Sequence, residues 1–410
     1  MLQRSVVRVG VTILATSLAL SACGSRGGDT NTGGAATGGG DSEKVATIGV
    51  IAPLTGDLSA LGLGIQHSVE LAVKQANESK AIPGWTLKVD PKDDEGKPEP
   101  GKNAATALSG DDTVVGVVGT LNSSVAQNVQ PVLASANIVQ VSPANTNPSL
   151  TRGADFVNAP KRAYPTYFRT CTTDAVQGPF AAQYLLSKGV KKVATIHDKK
   201  TYGQGLVDAF AKEFTAKGGT ISAATTINPD DSNYQTAITA VKGSAPQAVY
   251  YGGEYPQAGP LSQQMKSAGL NVPLMGGDGI FDGKFIELGG KSSAGDLATS
   301  VGAPTDSLEK GKTFLSAYEA AGYTEPAAAY GAYAYDAANA IIEGLKTSLK
   351  DAADAKSARQ ATVEAVGKVS IEGVTGTVAF DEFGDSKTRV LTVYEVQDGK
   401  WVPVKTDEFK

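Results

Sequence analysis

The chain has 410 residues, of which 41% are hydrophobic and 19% are charged, and it contains two cysteines and two histidines. This length exceeds what one hydrophobic core usually supports, so two domains are expected. The formal net charge is −5, and residues 23–410 carry 35 basic and 42 acidic side chains, a net charge of −7. This balance argues against a surface for nucleic acid or anionic lipid, and two histidines argue against a histidine-rich metal site.

The N-terminal segment has the features of a lipoprotein export signal. Two arginines precede an apolar run at residues 9–20, which is too short to span a bilayer, and small residues come directly before Cys23. The pattern resembles the lipobox of bacterial lipoprotein precursors, in which the cysteine is lipidated after cleavage; an ordinary secretory peptide that contains a cysteine is the alternative. Residues 1–22 are therefore predicted to be a signal peptide, and residues 23–43 the lipidated cysteine and a glycine-rich flexible linker.

From residue 44 onward, strand and helix patterns alternate, as in a parallel sheet that is covered on both faces. Apolar runs predict strands, and apolar residues at helical spacing predict helices. The predicted strands are residues 45–54, 85–89, 113–118 and 138–141, and the predicted helices are 62–79, 102–108 and the segment between the last two strands. The polar residues 91–100 are expected to form a loop.

The alternating pattern restarts near residue 168 and predicts a second domain of the same architecture. Its strands are expected at residues 192–196, 220–227, 248–251 and 272–275, and its helices at 177–188, 202–217, 234–242 and 258–268. A further strand at 297–303 is followed by helical patterns at 307–321, 326–349 and 357–369. Three last strands, at 374–380, 390–396 and 400–404, are predicted to form a meander or hairpin.

Polar residues follow two neighbouring strands of the first domain. Ser123 and Ser124 stand where a helix N-cap hydroxyl belongs, and a helix start offers free N–H groups and the positive end of its dipole to an anion. The next strand brings residues 142–146 to the same sheet edge, where ligands of open parallel sheets bind. These residues predict half of a small-molecule site, unless Ser123 merely caps its helix and the Ser-Pro and Asn-Pro pairs are ordinary turns.

The sequence contains no complete catalytic motif. Gly311-Lys312-Thr313 lacks the earlier glycine of a phosphate-binding loop, and Gly62-Leu63-Gly64 lacks the third glycine of a dinucleotide site. Ser307 and Lys310 match an SxxK pattern by spacing alone, without companion motifs. Cys171 is expected to be a buried apolar thiol, since no Cys/His/acid arrangement surrounds it. We therefore expect a protein that is not an enzyme and uses neither a cofactor nor a metal.

Several short segments are specific when they occur together. They include Pro53-Leu54-Thr55-Gly56, Gln177-Gly178-Pro179, the HDKxxYGxG stretch at 197–205 and Tyr250-Tyr251-Gly252-Gly253. Together they closely resemble the leucine/isoleucine/valine-binding proteins of branched-chain amino-acid ABC transporters, over nearly all of residues 45–404. The resemblance implies an α/β protein of the type I periplasmic-binding fold, in which two doubly wound, Rossmann-like lobes are joined by three crossing strands.

The resemblance also implies lobes that are discontinuous in sequence. The N-terminal lobe is expected to comprise residues 44–169 and 300–375, and the C-terminal lobe residues 170–299 and 376–410. The crossings are expected near residues 168–173, 297–303 and 374–380.

The family motif carries over to six candidate ligand-binding residues. The family's residues that bind the α-carboxylate and part of the α-amino group of the ligand correspond here to Ser123, Ala144 and Thr146. The family's ligand contacts from the second lobe correspond to Tyr202 and Asp278. Glu254 replaces a tyrosine of the family and adds an acid near the ammonium or the side chain of the ligand. A polar or cationic ligand therefore remains an alternative to an aliphatic one. Leu61 replaces an aromatic pocket residue, and Gly96 and Asn122 replace a cysteine pair.

The implied function is that of an extracytoplasmic lipoprotein, anchored by its lipid alone, that serves an ABC importer. It would bind an amino acid, with the branched-chain class expected, in the interlobe cleft and deliver it by hinge closure to permease and ATPase subunits as a monomer. The alternatives are a receptor for a polar amino acid, an amide or urea, a sensory module that is not coupled to transport, and, least favoured, an enzyme.

Overall fold

The structure is a computed structural model that describes residues 44–410. The predicted signal peptide, Cys23 and the linker lie outside the described residues. Residues 44–410 belong to one compact unit that contains two sheets with predominantly parallel strands, each packed between helices. None of the helices in this part of the chain is both long and apolar enough to cross a membrane.

The first sheet has five parallel strands in the order β2-β1-β3-β4-β5. They are β1 (Lys44–Ala52), β2 (Trp85–Asp93), β3 (Val114–Gly119), β4 (Val139–Ser142) and β5 (Tyr167–Arg169). Val117 and Val118 of β3 enter different hydrophobic clusters, one on each face of the sheet. This two-sided burial explains why the strand is an unbroken apolar run rather than an alternating one.

Seven α-helices of residues 44–410 belong to the first sheet or its connections. They are α1 (Ser59–Glu78), α2 (Pro98–Gly110), α3 (Ser123–Ser135), α4 (Ser149–Arg152), α10 (Glu309–Ala320), α11 (Gly331–Ser348) and α12 (Arg359–Val366). The last three come late in the chain, yet α11 and α12 contact β3 and β4, and α11 packs along α1. The loop predicted at 91–100 is confirmed only for residues 94–97, because β2 pairs with β1 as far as Asp93 and α2 already begins at Pro98.

The second sheet has seven strands in the order β14-β13-β10-β9-β8-β6-β7. They are β6 (Lys192–His197), β7 (Thr220–Thr226), β8 (Ala248–Gly252), β9 (Leu274–Gly276), β10 (Leu297–Ser300), β13 (Val390–Gln397) and β14 (Lys400–Glu408). The first five run parallel, and β13 and β14 are antiparallel to their neighbours. The helices of this lobe are α5 (Asp174–Ser187), α6 (Thr201–Ala216), α7 (Gln235–Lys242), α8 (Tyr255–Ser267) and α9 (Gly283–Gly289).

The chain passes between the two sheets three times, after β5, after β10 and before β13. The predicted α/β fold with two doubly wound lobes is therefore confirmed, while the lobe boundaries at individual residues stay a prediction. The C-terminal strands were predicted to form a meander or a hairpin, and the hairpin is confirmed for β13 and β14. The strand predicted at 374–380 does not join them, because β12 (Thr377–Ala379) pairs with β11 (Ser370–Glu372) as a separate antiparallel ladder.

A buried arginine of the first lobe forms an ion pair with the turn that precedes β13. Arg169, at the end of β5, is fully buried and lies 2.9 Å from an oxygen of Asp385 through its Nε atom. Its Nη2 atom donates to the hydroxyl of Thr151 at 2.7 Å. Asp385 also accepts from Arg152 at 2.8 Å, so two cations hold the turn before β13 in place.

Candidate ligand-binding site

A cavity of about 20 Å³ lies between the two lobes. This volume holds about one water molecule, so the lobes are closed over the site and a larger ligand requires them to move apart. The first lobe contributes Leu61, Leu121, Asn122, Ser123, Ala144 and Tyr330, and the second contributes Tyr202, Glu254, Asp278 and Gly279. Larger surface depressions lie elsewhere on residues 44–410, and this cavity collects residues from the strand ends of both sheets.

Topology explains why residues so distant in sequence meet here. Asn122 follows β3 and Ala144 follows β4 in the first lobe, and Glu254 follows β8 and Asp278 follows β9 in the second. Each residue comes just after the carboxyl end of a parallel strand. Because the carboxyl ends of parallel strands share one sheet edge, the polar residues of each lobe converge on the interlobe cavity.

Asp278 is the most heavily hydrogen-bonded acid of the cavity. Its side chain is 2% exposed; one oxygen accepts from the hydroxyl of Tyr202 at 2.9 Å and from Nε2 of Gln177 at 2.9 Å, and the other accepts from the hydroxyl of Tyr330 at 2.8 Å. Burial raises the pKa of Asp278, and the three donors offset part of that rise. A partly compensated buried carboxylate of this kind favours a cationic partner.

The donors to Asp278 are themselves oriented. The side-chain oxygen of Gln177 accepts from the backbone N–H of Asp278 at 2.9 Å and from the hydroxyl of Thr299 at 2.7 Å, which leaves its amide nitrogen pointing at the carboxylate. Burial raises the pKa of Tyr202 and of Tyr330 well above the ordinary value, so both phenols remain protonated donors. The carboxylate is therefore held in one orientation before any ligand contact.

Sequence reasoning missed Tyr330 and the direct role of Gln177. Tyr330 had the spacing of a core position in a helix, but it is the residue before α11 and its hydroxyl crosses to the second lobe. No periodic signal distinguishes such a residue from a core tyrosine. Gln177 was visible as part of the Gln-Gly-Pro motif, and a polar residue inside a specific motif is a signal that could have marked it.

The structure corrects the expected helix cap at Ser123. Helix α3 begins at Ser123 itself and its N-cap residue is Asn122, whose side chain caps nothing and instead contacts Glu254. Ser123 lines the cavity. Within residues 44–410, the backbone N–H groups of Ser123 and Ser124 donate to no protein acceptor. These N–H groups and the helix dipole make the start of α3 suited to an anion.

Ala144 and Thr146 occupy different positions relative to the cavity. Ala144 lines it, whereas Thr146 is fully buried behind the lining, and its hydroxyl lies near Asp174 without a hydrogen bond of normal geometry in the described chain. Burial, and secondarily the charge of Asp278, raises the pKa of Asp174 to about 8. The Thr146 hydroxyl offsets part of this rise, so it is directed towards Asp174 rather than into the cavity.

Glu254 is also buried, but both of its oxygens already have partners. One accepts from Nδ2 of Asn122 in the first lobe at 2.8 Å, and the other from Nζ of Lys200 in its own lobe at 2.8 Å. Burial lowers the pKa of Lys200, but the Glu254 carboxylate outweighs this effect and the net pKa is raised. Behind this pair, burial and the charge of Glu254 raise the pKa of Asp198 to about 8.

The groups that line the cavity are complementary to a zwitterion. Asp278 faces it with a carboxylate, the start of α3 faces it with free N–H groups, and Leu61, Leu121 and Ala144 give it apolar walls. Cys171 is fully buried and burial raises the pKa of its thiol, so it is not a poised nucleophile. In the part of the chain that the structure describes, no group of three or more His, Cys, Asp or Glu residues is placed to hold a metal.

Comparisons with solved structures agree with the two-lobed fold. A leucine-binding protein LivK from Thermotoga maritima is 24% identical with a TM-score of 0.79, over 88% of this chain and 99% of the other. A branched-chain amino-acid transporter substrate-binding protein LivJ from Streptococcus pneumoniae, in complex with isoleucine, is 25% identical with a TM-score of 0.78, over 89% of this chain and 100% of the other. The first similarity, below 25% identity, establishes the fold alone.

Sequence comparisons establish the family. The profile of the family described as "Periplasmic binding protein" matches residues 45–400. The Leu/Ile/Val-binding protein BraC3 of Rhizobium johnstonii is 32% identical over 357 residues, 87% of this chain and 93% of the relative, and the Leu/Ile/Val-binding protein homolog 3 of Brucella melitensis is 33% identical over 358 residues, 87% and 92%. These relatives are binding proteins, not enzymes. The chain therefore belongs to the periplasmic binding protein family, in the group that contains the Leu/Ile/Val-binding proteins.

Proposed function

We propose that the cavity binds a free amino acid with an uncharged, branched aliphatic side chain, and that the protein delivers it to an ABC importer. The observation that carries this proposal is Asp278, a buried carboxylate held by three donors and facing a cavity whose opposite wall is a helix start. A molecule with an ammonium at one end of a short span and a carboxylate at the other complements both features.

The α-ammonium is assigned to Asp278. A carboxylate accepts about four hydrogen bonds, and Asp278 accepts two on one oxygen and one on the other. The less occupied oxygen, which also receives the Tyr330 hydroxyl, is the expected position of the ammonium. The resulting pair compensates the charge that burial makes costly in the protein alone.

The α-carboxylate is assigned to the start of α3. The N–H groups of Ser123 and Ser124 have no protein acceptor in residues 44–410, and Ser123 lines the cavity. Each charge-assisted hydrogen bond contributes about 1.5–3 kcal/mol. Several such bonds, less the cost of ordering, are compatible with a micromolar dissociation constant, which requires about −8 kcal/mol.

The side chain is assigned to the apolar wall of Leu61, Leu121 and Ala144. The names of the relatives from Rhizobium and Brucella and the isoleucine complex of the Streptococcus protein support a branched-chain ligand. Charged side chains are disfavoured, because Glu254, the one additional acid on the wall, is already paired with Lys200.

Delivery is proposed to follow hinge closure. Several hydrogen bonds of the described residues join the lobes. Those from Asn122 to Glu254, from Tyr330 to Asp278 and from Asn147 to the carbonyl of Thr201 at 2.9 Å are joined by bonds from Tyr255 to the carbonyl of Asp57 and from Thr201 to Gln127 at 3.1 Å. Bonds of this kind break when two lobes swing apart about their connecting strands. We further propose lipid anchoring at Cys23, extracytoplasmic location, a monomeric state and the lobe boundaries predicted from the sequence.

Calorimetric titration of residues 44–410 with the twenty amino acids tests the proposal. Tight binding confined to leucine, isoleucine and valine is the expected result, and leucine amide, which lacks the anionic carboxylate, is the matched control and is expected to bind at least a hundredfold more weakly. Binding of a polar or basic amino acid would refute the side-chain assignment. Absence of binding to all twenty amino acids would refute the proposal that the ligand is an amino acid.

A further inference from the structure

Glu254 contacts the opposite lobe through a single hydrogen bond. Its Oε1 atom accepts from Nδ2 of Asn122 at 2.8 Å, and the two residues are 132 positions apart. The contact is buried, since Asn122 is 3% and Glu254 4% exposed. A buried charge-assisted hydrogen bond between two lobes is formed only while the lobes are together.

The surroundings of Glu254 compensate its charge without help from a ligand. The second oxygen accepts from Nζ of Lys200 at 2.8 Å, on the same lobe. Glu254 is the N-cap residue of α8 and Asn122 is the N-cap residue of α3, and neither side chain caps its own helix. The carboxylate therefore lies near the positive ends of two 13-residue helices, whose dipoles attract a negatively charged group.

We propose that Asn122 and Glu254 form an interlobe latch that slows opening of the closed cleft, and that Glu254 does not select a cationic ligand side chain. The proposal deepens the function proposed above and rests on it. A cationic side chain would have to displace Lys200 from Glu254, whereas a neutral side chain leaves the pair intact. Lys200 donates to the Glu254 carboxylate within the second lobe, and Asn122 of the first lobe donates to the same carboxylate when the lobes close.

The latch predicts a particular kinetic signature. Because ligand enters the open form, in which Asn122 and Glu254 are apart, loss of the latch leaves the association rate within about threefold. Dissociation requires opening, so loss of the bond raises the dissociation rate by about tenfold, as expected for one hydrogen bond to a charged group. The factor is expected to be similar for leucine, isoleucine and valine, because loss of the bond acts on opening, a step that is common to all three ligands.

Stopped-flow measurement of ligand dissociation tests the latch in four variants. Asn122→Ala is expected to raise the leucine dissociation rate about tenfold, and Asn122→Asp to raise it further, because it sets a second carboxylate against Glu254. Asn122→Asp combined with Glu254→Gln restores an acceptor and donor pair and is expected to recover most of the loss. Gln183→Ala is the matched control, since Gln183 bonds the carboxylate of Glu213 within one lobe, and should change nothing.

Two results would overturn the latch. The first is a leucine dissociation rate in Asn122→Ala within twofold of wild type. The second is a Glu254→Gln variant whose preference between leucine and lysine changes more than tenfold, which would make Glu254 a ligand contact.

Failure of the proposed function gives a different pattern, namely wild-type protein that binds no amino acid. The latch is then judged from the lobe separation of ligand-free protein by double electron–electron resonance. Labels are placed at Lys102→Cys and Lys212→Cys, exposed helical positions in different lobes; the native Cys171 is buried and does not compete. A longer distance in Asn122→Asp than in wild type supports the latch, and equal distances refute it.

Discussion

Replacing the carboxylate of Asp278 by an amide should abolish tight binding without unfolding the protein. In Asp278→Asn the shape is kept, but the charge that pairs with the ligand ammonium is removed. Loss of one partner of a buried ion pair costs about 3–5 kcal/mol. Since 1.4 kcal/mol corresponds to a factor of ten, the dissociation constant should rise roughly 150-fold to several thousandfold.

The ligand-free variant should be at least as stable as wild type. Burial raises the pKa of Asp278 above its unfolded value, so the folded state binds the proton more tightly, and the carboxylate lowers stability as pH rises above the unfolded pKa. The amide carries no such penalty. Two of the three donors to Asp278 are the hydroxyls of Tyr202 and Tyr330, and a hydroxyl can rotate to accept from an amide N–H.

Calorimetry measures the affinity, and thermal unfolding with and without leucine measures the stability. The matched control is Asp336→Asn, because Asp336 is also a buried aspartate with three donors, from the N–H of Val374 and from the N–H and hydroxyl of Thr375. It lies outside the cavity lining, and backbone N–H donors cannot become acceptors. The control should therefore lose stability but keep its ligand affinity.

The reasoning is wrong if Asp278→Asn binds leucine within threefold of wild type, because Asp278 then does not hold the ammonium. It is also wrong if the ligand-free variant is destabilised by more than about 2 kcal/mol, a typical penalty for a buried polar group left without its partner. In that case Asp278 would serve folding rather than binding.

Three further predictions concern single side chains. Tyr330→Phe removes one donor to the charged Asp278 and should weaken leucine binding about tenfold or more in calorimetry; unchanged affinity would place Tyr330 in the core only. Burial raises the pKa of Asp94 to about 7, so Asp94 opposes folding increasingly as pH rises from about 4 to 7; urea unfolding at pH 5 and 8 should show that Asp94→Asn gains stability relative to wild type at pH 8, and an equal difference at both values would contradict this. Arg169→Met leaves Asp385 buried with one cation fewer and should lower the free energy of unfolding by about 3–5 kcal/mol, whereas a loss below 1 kcal/mol would show that Arg152 suffices.

Sequence reasoning located the features that depend on local pattern. The apolar run that contains Val117 and Val118 is buried on both faces of its sheet, and this requirement leaves a direct trace in sequence. Ser123 and residues 142–146 were placed near one another because parallel strands share an edge, whereas Glu254 and Asp278 were assigned from the family resemblance. Ser123, Ala144, Glu254 and Asp278 line one cavity.

The sequence by itself therefore determined the alternation of strands and helices, the two-lobed α/β fold and the sheet edges that carry the site. Only the tertiary structure decided which polar groups pair: Tyr330 with Asp278, Asn122 with Glu254, and Thr146 buried behind the cavity wall. The spacing of apolar residues shows which face of a helix or strand is buried, and this spacing can be read from a few neighbouring residues. Pairing across two lobes depends on how two separately folded sheets are positioned, which is the sum of many small packing free energies and leaves no periodic trace.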